Sequence, residues 1–297
     1  MNRFSLIIAL VFLLLFSSCK WNTRKKNSSI SGKEAPETYI AKLDSVFIEN
    51  SGIIYWKKML WTFNDSGGKN EIYGLNIKTG HLEITLRLTN ATNLDWEDIA
   101  QNDRYIFIAE TGNNDGRRTD LHLLRIEKNL IGNEPFQNIK AEKIYFNFAD
   151  QRDFNPLFRH NSYDCEALFE CNDSLFVFTK DWLNHITKAY AMPNVPGNYS
   201  LMPIDSFNVE GLVTGVDINS RGKIALLGYQ DFKSFVWIFN KNGKNLFNDP
   251  KFIDLGMLQN AQTEGICFNP KGDLLISCEQ TTNYLQQVWR IRKRDFR

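Results

Sequence analysis

Nowhere in this sequence is there a sustained helical period, an apolar run long enough to cross a membrane, or a block of one charge outside the N-terminal segment. Each gap removes a class of protein. Without apolar residues recurring at three- and four-residue intervals, a helical bundle has no faces to pack. The longest apolar run, Phe4–Phe16, falls short of the roughly 20 residues that a spanning helix needs. Thirty-five basic residues stand against 34 acidic ones, a net charge of +1. The electrostatic footprint of a nucleic-acid binder is therefore missing. Histidine is scarce, with four residues, and no Cys/His spacing of a zinc site occurs. There is no G-x-S-x-G elbow, P-loop or H-E-x-x-H helix.

The N-terminus is rich in signals. A short positive start, Met1–Arg3, leads into the apolar run and then into Ser17-Ser18-Cys19, the order of a secretory signal peptide. The pattern resembles the bacterial lipobox, in which the signal is cut before a cysteine that becomes lipidated. Residues 1–18 are therefore expected to be removed, with lipid on Cys19. Asn22–Pro36 is polar, basic and almost free of apolar residues, so residues 19–37 read as a flexible tether. Residues 38–297 remain as one folded domain. The anchor implies a bacterial cell-envelope protein on the outer membrane, and Lys20 and Trp21 after the lipid site favour its periplasmic side. Four cysteines survive export. Cys165 and Cys171 lie at opposite ends of one expected strand, roughly 20 Å apart at ~3.3 Å per residue, whereas a disulfide needs Cα atoms within about 7 Å. Cys267 and Cys278 are out of register across a turn, so free thiols are expected.

Short runs of Val, Ile, Phe and Tyr, broken by Gly, Asn and Asp, make this an all-β chain. An acidic residue before an apolar one recurs at positions 49, 97, 166 and 264, with a degenerate copy at 214; the steps are 48, 69, 48 and 50 residues. Each repeat holds four strand-like runs, of which the second is the most continuously apolar. Such a run belongs to a strand buried on both faces. The pattern predicts a single β-propeller of four-stranded blades, five by repeat count. A sixth blade would need a four-strand set within the insertion, and none is visible. A two-sheet sandwich is the structural alternative, but five copies of one register argue against it. The last repeat has only three strands, and Thr38–Phe47 is a spare one, so the N-terminal strand is expected to close the ring.

In a propeller the inner strands begin, and the second strands end, at one mouth of the central channel. That topology gathers Glu97, Glu166 and Glu264 with Asn64, Asp65, Asn113, Asn114, Arg118, Lys180, Trp182 and Tyr229. The connection Ala149–Tyr163 reaches the same face as a partial lid. Crowded carboxylates repel one another unless a cation or basic groups compensate. Asp65, Glu97, Glu166 and Glu264 are the candidate metal ligands, and their all-oxygen character points to Ca²⁺. Asn64, Asp65, Asn113, Asn114, Trp182 and Tyr229 are the candidate ligand contacts. The bland reading is that the repeated acids cap strand ends by accepting backbone N–H groups. Asp65-Ser66-Gly67-Gly68 looks like the nucleophile motif of trypsin-like proteases. That chemistry requires a histidine base and a buried aspartate, and none of the four histidines sits in a supporting motif.

Taken together, Trp61–Gly67, Asp95–Ala100, Gly112–Asn114 with Arg118, and Asp164–Ala167 resemble a family of largely uncharacterised secreted bacterial β-propeller proteins. The likeness runs over nearly the whole domain. More distantly, the D-x-E starts are similar to propellers labelled phytase-like or esterase-like, which implies a metal-assisted hydrolase. Two functions follow as expectations. One is a binding module, monomeric and membrane-tethered, presenting an acidic face to a small molecule or protein. The other is a Ca²⁺-dependent hydrolase of phosphate or carboxylic esters. In that enzyme Glu97, Glu166 or Glu264 would act as base, and Arg118 or Lys180 would steady the developing charge.

Overall fold

The most apolar run of each repeat becomes the second strand of a sheet: Met59–Asn64, Tyr105–Glu110, Ser174–Lys180, Lys223–Gln230 and Leu274–Cys278. The computed structural model describes residues 33–34 and 38–296, so the expected signal segment, Cys19 and most of the tether lie outside the described residues. Five antiparallel four-stranded blades stand in a ring, making the chain a five-bladed β-propeller. Their inner strands are Asn50–Trp56, Trp96–Gln101, Asp164–Cys171, Leu212–Ile218 and Thr263–Phe268, each beside the next around the channel. Thr38–Lys42 pairs antiparallel with Gln287–Ile291 as the fourth strand of the last blade. The ring thus closes as anticipated, through hydrogen bonds between the two ends of the chain. Among the described residues no helix is long and apolar enough to cross a membrane. Cys165, Cys171, Cys267 and Cys278 are free.

The wedges between blades are filled with apolar side chains. Trp61, Phe63, Trp96, Ile106 and Ile108 sit between blades one and two. Phe107, Phe146, Phe148 and Tyr190 sit between blades two and three. Between blades three and four the filling is aromatic, with Phe207 edge-on to Trp237 and to Phe239 at 4.9 Å each. Fully burying a side chain of this size stabilises by about 1.5–3 kcal/mol. Trp96 belongs to this packing, edge-on to Phe63 at 5.5 Å, and not to a ligand surface. A feature absent from the sequence reading binds the blades further. Phe136–Ile139 runs parallel to the outer strand of blade one, Gly197–Leu201 to that of blade two, and Lys33–Glu34 to that of blade four. Each such segment precedes the fourth strand of the next blade. The last pairing draws in two residues that the sequence had assigned to the tether.

All five inner strands slip register against their partners near the mouth, as β-bulges do: between Ser51 and Ile54, Trp96 and Ile99, Cys165 and Ala167, Val213 and Gly215, and Thr263 and Gly265. A bulge leaves its extra residue unpaired and re-aims its side chain. The residues so placed are Glu97 with Asp98, Glu166, Thr214 and Glu264, which is why the acids recur. In blade one the place is taken by Gly52 with Ile53, and not by Glu49, which is exposed ahead of the strand. Gly52 sits at φ +38°, where a Cβ would lie 2.9 Å from the Asp98 Cα, so the neighbouring backbone excludes an acid there.

Candidate metal centre at the channel mouth

Some acids in the ring are structural, as strand-end caps would be. Asp98 is fully buried and accepts the N–H groups of Ile99 (2.8 Å), Leu168 (2.8 Å) and Val216 (3.4 Å), tying blade two to blades three and four. Asp217 accepts from Ile218 and from Phe268 of the next blade, at 2.8 and 2.7 Å. Glu110 accepts from the backbone of Leu94 and Asp95 and pairs with Arg118 at 2.8 Å.

The remaining acids are not satisfied this way. Carboxylate oxygens of Asp65, Asp95 and Glu97 lie within 4.8 Å of one another, and so do those of Glu97, Asp164 and Glu166. Glu97 belongs to both groups. It is buried, and among the described residues no backbone N–H donates to its carboxylate. Asp65 accepts one N–H, from Ser66. Asp164 accepts the N–H of Asn113 at 2.7 Å and the Trp182 indole N–H at 2.8 Å. The buried cation among them is Lys180, 3.1 Å from Glu166, and the Arg118 guanidinium also draws on Asp95. Five carboxylates therefore face one ammonium group and the edge of one guanidinium.

Burial, then the charge of the neighbouring carboxylates, pushes Asp65, Asp95, Glu97 and Asp164 up. Asp65 rises to about 8, with Glu166 and Asp95 adding to its burial. Asp164 rises to about 8 through burial and Glu166, and Asp95 to about 6 through burial and Asp164. Glu97 is held well above the carboxylate range by burial and then by Glu166. Such a site must either keep protons or take up a cation. Its donors are all oxygen, with no imidazole or thiolate, which suits a hard divalent ion such as Ca²⁺ or Mg²⁺. The carboxylates close in over Gly112, where a Cβ would lie 2.1 Å from Glu97 Oε1 and 2.2 Å from the Asp95 carboxylate.

Of the expected ligands, Asp65, Glu97 and Glu166 are in these groups. Asp95 and Asp164 are in them too, although the sequence reading had not named them as ligands. Their signal was present: in Asp95-Trp96-Glu97 and Asp164-Cys165-Glu166 the acids are two residues apart, on one side of a strand. Glu264 lies outside both groups. The residue two before it is Gln262, which hydrogen-bonds the Glu264 carboxylate; burial carries Glu264 to about 7 against the pull of Lys180. Glu279, also unnamed, is buried nearby and pushed up to about 10 by burial and Glu264.

Several expected site residues also hold the scaffold, yet Asn64 Oδ1, Asn114 Oδ1 and Arg118 Nη2 are buried with no hydrogen-bond partner among the described residues. Arg118 bonds Glu110, Asp120 at 3.0 Å and the Gly112 carbonyl at 3.0 Å through its other guanidinium nitrogens. Asn113 accepts the Arg118 N–H at 2.9 Å while its own N–H orients Asp164. The Asn114 carbonyl accepts from Arg159 N–H at 3.0 Å and Asn161 Nδ2 at 2.9 Å, pinning the connection over the mouth. Asn64 donates to the Val46 carbonyl at 2.7 Å. Trp182 is sandwiched, with Lys180 4.9 Å and Arg159 4.6 Å from its ring, and Tyr229 lies 5.7 Å from the Lys180 ammonium. Of the expected lid residues, Arg159 covers Trp182, while Phe154 and Phe158 stay exposed.

No family model and no curated protein matches the chain. Solved structures do. A GH43 β-1,3-galactosidase, determined with galactodeoxynojirimycin, aligns over 86% of this chain and 93% of its own at 10% identity, with a TM-score of 0.50. A luciferin-regenerating enzyme aligns over 86% and 95% at 9% identity and 0.47. Regucalcin from Agrobacterium tumefaciens, described as a calcium-binding protein, aligns over 88% and 93% at 11% identity and 0.42. At such identities the likeness is one of β-propeller fold.

Proposed function

We propose that this protein is a lipid-tethered binding propeller whose channel mouth takes up one hard divalent cation, Ca²⁺, and offers it to an oxygen-bearing ligand. The observation that carries this reading is Glu97: a buried carboxylate shared between two acidic groups and given no backbone N–H among the described residues. A cation would draw on Asp65, Asp95, Glu97, Asp164 and Glu166, and would supply the positive charge that Lys180 and, at Asp95, Arg118 do not match.

The test is thermal unfolding of the detergent-solubilised full chain in EDTA and in millimolar Ca²⁺. At a hundredfold excess over Kd, binding to the folded state alone adds ~2.7 kcal/mol. For a domain of this size that is roughly 5–10 °C. Glu97→Gln should abolish the rise, and an identical melt in both buffers would sink the cation site. A hydrolase at the same mouth is the second reading, favoured by Glu264, which stands near neutrality beside Lys180. Ca²⁺-dependent turnover of an ester or phosphoester, lost in Glu264→Gln, would establish it.

The tether rests on Met1–Cys19 and the polar segment after it, and places the protein on the periplasmic side of the outer membrane. Two acyl chains would hold it there, at ~0.8 kcal/mol per buried methylene. Metabolic labelling with an alkyne fatty acid should mark the wild type and leave Cys19→Ser unlabelled. Equal labelling of the two would remove the anchor.

A further inference from the structure

Beside the acidic mouth, between blades four and five, is a cavity of about 390 Å³, within the size range of small-molecule sites. It communicates with the carboxylates through two of its walls. Tyr229 also faces the Lys180 ammonium, and Gln262 also bonds Glu264. We propose that this cavity is a saccharide subsite, an inference that rests on the mouth being a ligand site but not on the cation.

The lining chemistry selects the class. Asn260, Gln262 and Asn283 offer carboxamides, and Thr281 and Thr282 offer hydroxyls. Thr281 Oγ1 already accepts the Asn283 and Tyr284 N–H groups and can still donate, and Gln262 bonds Glu264, so together the wall offers both donors and acceptors, as vicinal hydroxyls require. Tyr229 and Phe232 add aromatic faces for the C–H face of a pyranose ring. Arg159, the single cation of the lining, has no carboxylate partner among the described ion pairs and can bond ring or carboxyl oxygens. One guanidinium is too little for a polyphosphate, and the amide wall is too polar for a lipid.

Phe232 makes the argument independent of the lining. It occupies a two-residue hairpin turn with Asp231, both at positive φ, +49° and +61°. Asn or Gly is favoured there, and a bulky residue is strained. The ring is 72% exposed and so gains little from packing. Arg159 at +52° places a further strained residue on the same wall. Strain of this kind gathers at ligand clamps.

The experiment is ligand-observed NMR of the full chain with digalacturonate, cellobiose and chitobiose, each at about 10 mM, where even a millimolar Kd is near saturation. At least one saccharide should bind, and Phe232→Gly and Asn283→Ala should each weaken it about tenfold or more. Phe232→Gly relieves a strained turn, so its melting temperature should hold or rise while binding falls. The Ca²⁺-dependent melt should be unchanged in both variants, which separates this subsite from the cation site. Binding of none of the three, binding indifferent to both substitutions, or a Phe232→Gly protein that melts lower would overturn the proposal.

Discussion

Among the described residues Asp98 accepts three backbone N–H groups, whereas the carboxylate of Glu97, its neighbour in the chain, accepts none. The bulge sends the two side chains different ways, one into the seam between blades and one to the mouth. Position within a two-residue irregularity thus decides which acid is structural and which is available to a ligand. Gly112 tests this without removing a carboxylate. An alanine methyl there would meet Glu97 Oε1 and the Asp95 carboxylate at just over 2 Å. Both are the ends of flexible side chains and can swing away, and Gly112 is not in the left-handed region, so the backbone accepts alanine. Gly112→Ala should therefore leave the melting temperature in EDTA within a few degrees of wild type while weakening Ca²⁺ at least about tenfold, or ~1.4 kcal/mol, by titration calorimetry. Unchanged Ca²⁺ affinity would show that the cation, if bound, does not use this pair.

The blades themselves were legible because burial writes a strong pattern. Second strands covered on both faces must be apolar along their length, and five such runs at a step that is nearly constant apart from one insertion leave little besides a propeller. Closure by Thr38–Lys42 was legible from a count, three strands at one end and a spare at the other. The start of blade one was placed on Glu49, because its true counterpart, Gly52, has no side chain with which to declare itself. The parallel segments Phe136–Ile139 and Gly197–Leu201 were not legible. They are short, partly exposed, and paired through another blade's edge, so nothing local marks them. At the mouth, residue types were legible and partners were not. The sequence placed Arg118, Asn113 and Asn114 near the acids. Which of them would be taken up by Glu110, Asp164 or the lid depended on loop geometry that no spacing encodes.

Across the whole molecule basic and acidic residues nearly cancel, so general charge repulsion contributes little to any change of stability with pH. The mouth is different, because six of its acids, Asp65, Asp95, Glu97, Asp164, Glu264 and Glu279, are held above the values they have in an unfolded chain, about 4. Asp95 stands at about 6, Glu264 at about 7, Asp65 and Asp164 at about 8, and Glu279 at about 10. In EDTA, between about pH 4 and 8, the folded protein keeps protons at sites where the unfolded chain has lost them. Unfolding then releases protons, and stability falls as pH rises through this window. A bound cation replaces those protons as the countercharge. Saturating Ca²⁺ should therefore change the melt little at pH 5 and progressively more towards pH 8, flattening the decline seen in EDTA. Parallel melting curves across that range, with and without Ca²⁺, measure both slopes. If stability in EDTA instead climbs with pH, the mouth acids are ionised and satisfied within the protein, and neither protons nor a cation are needed to hold the ring's centre together.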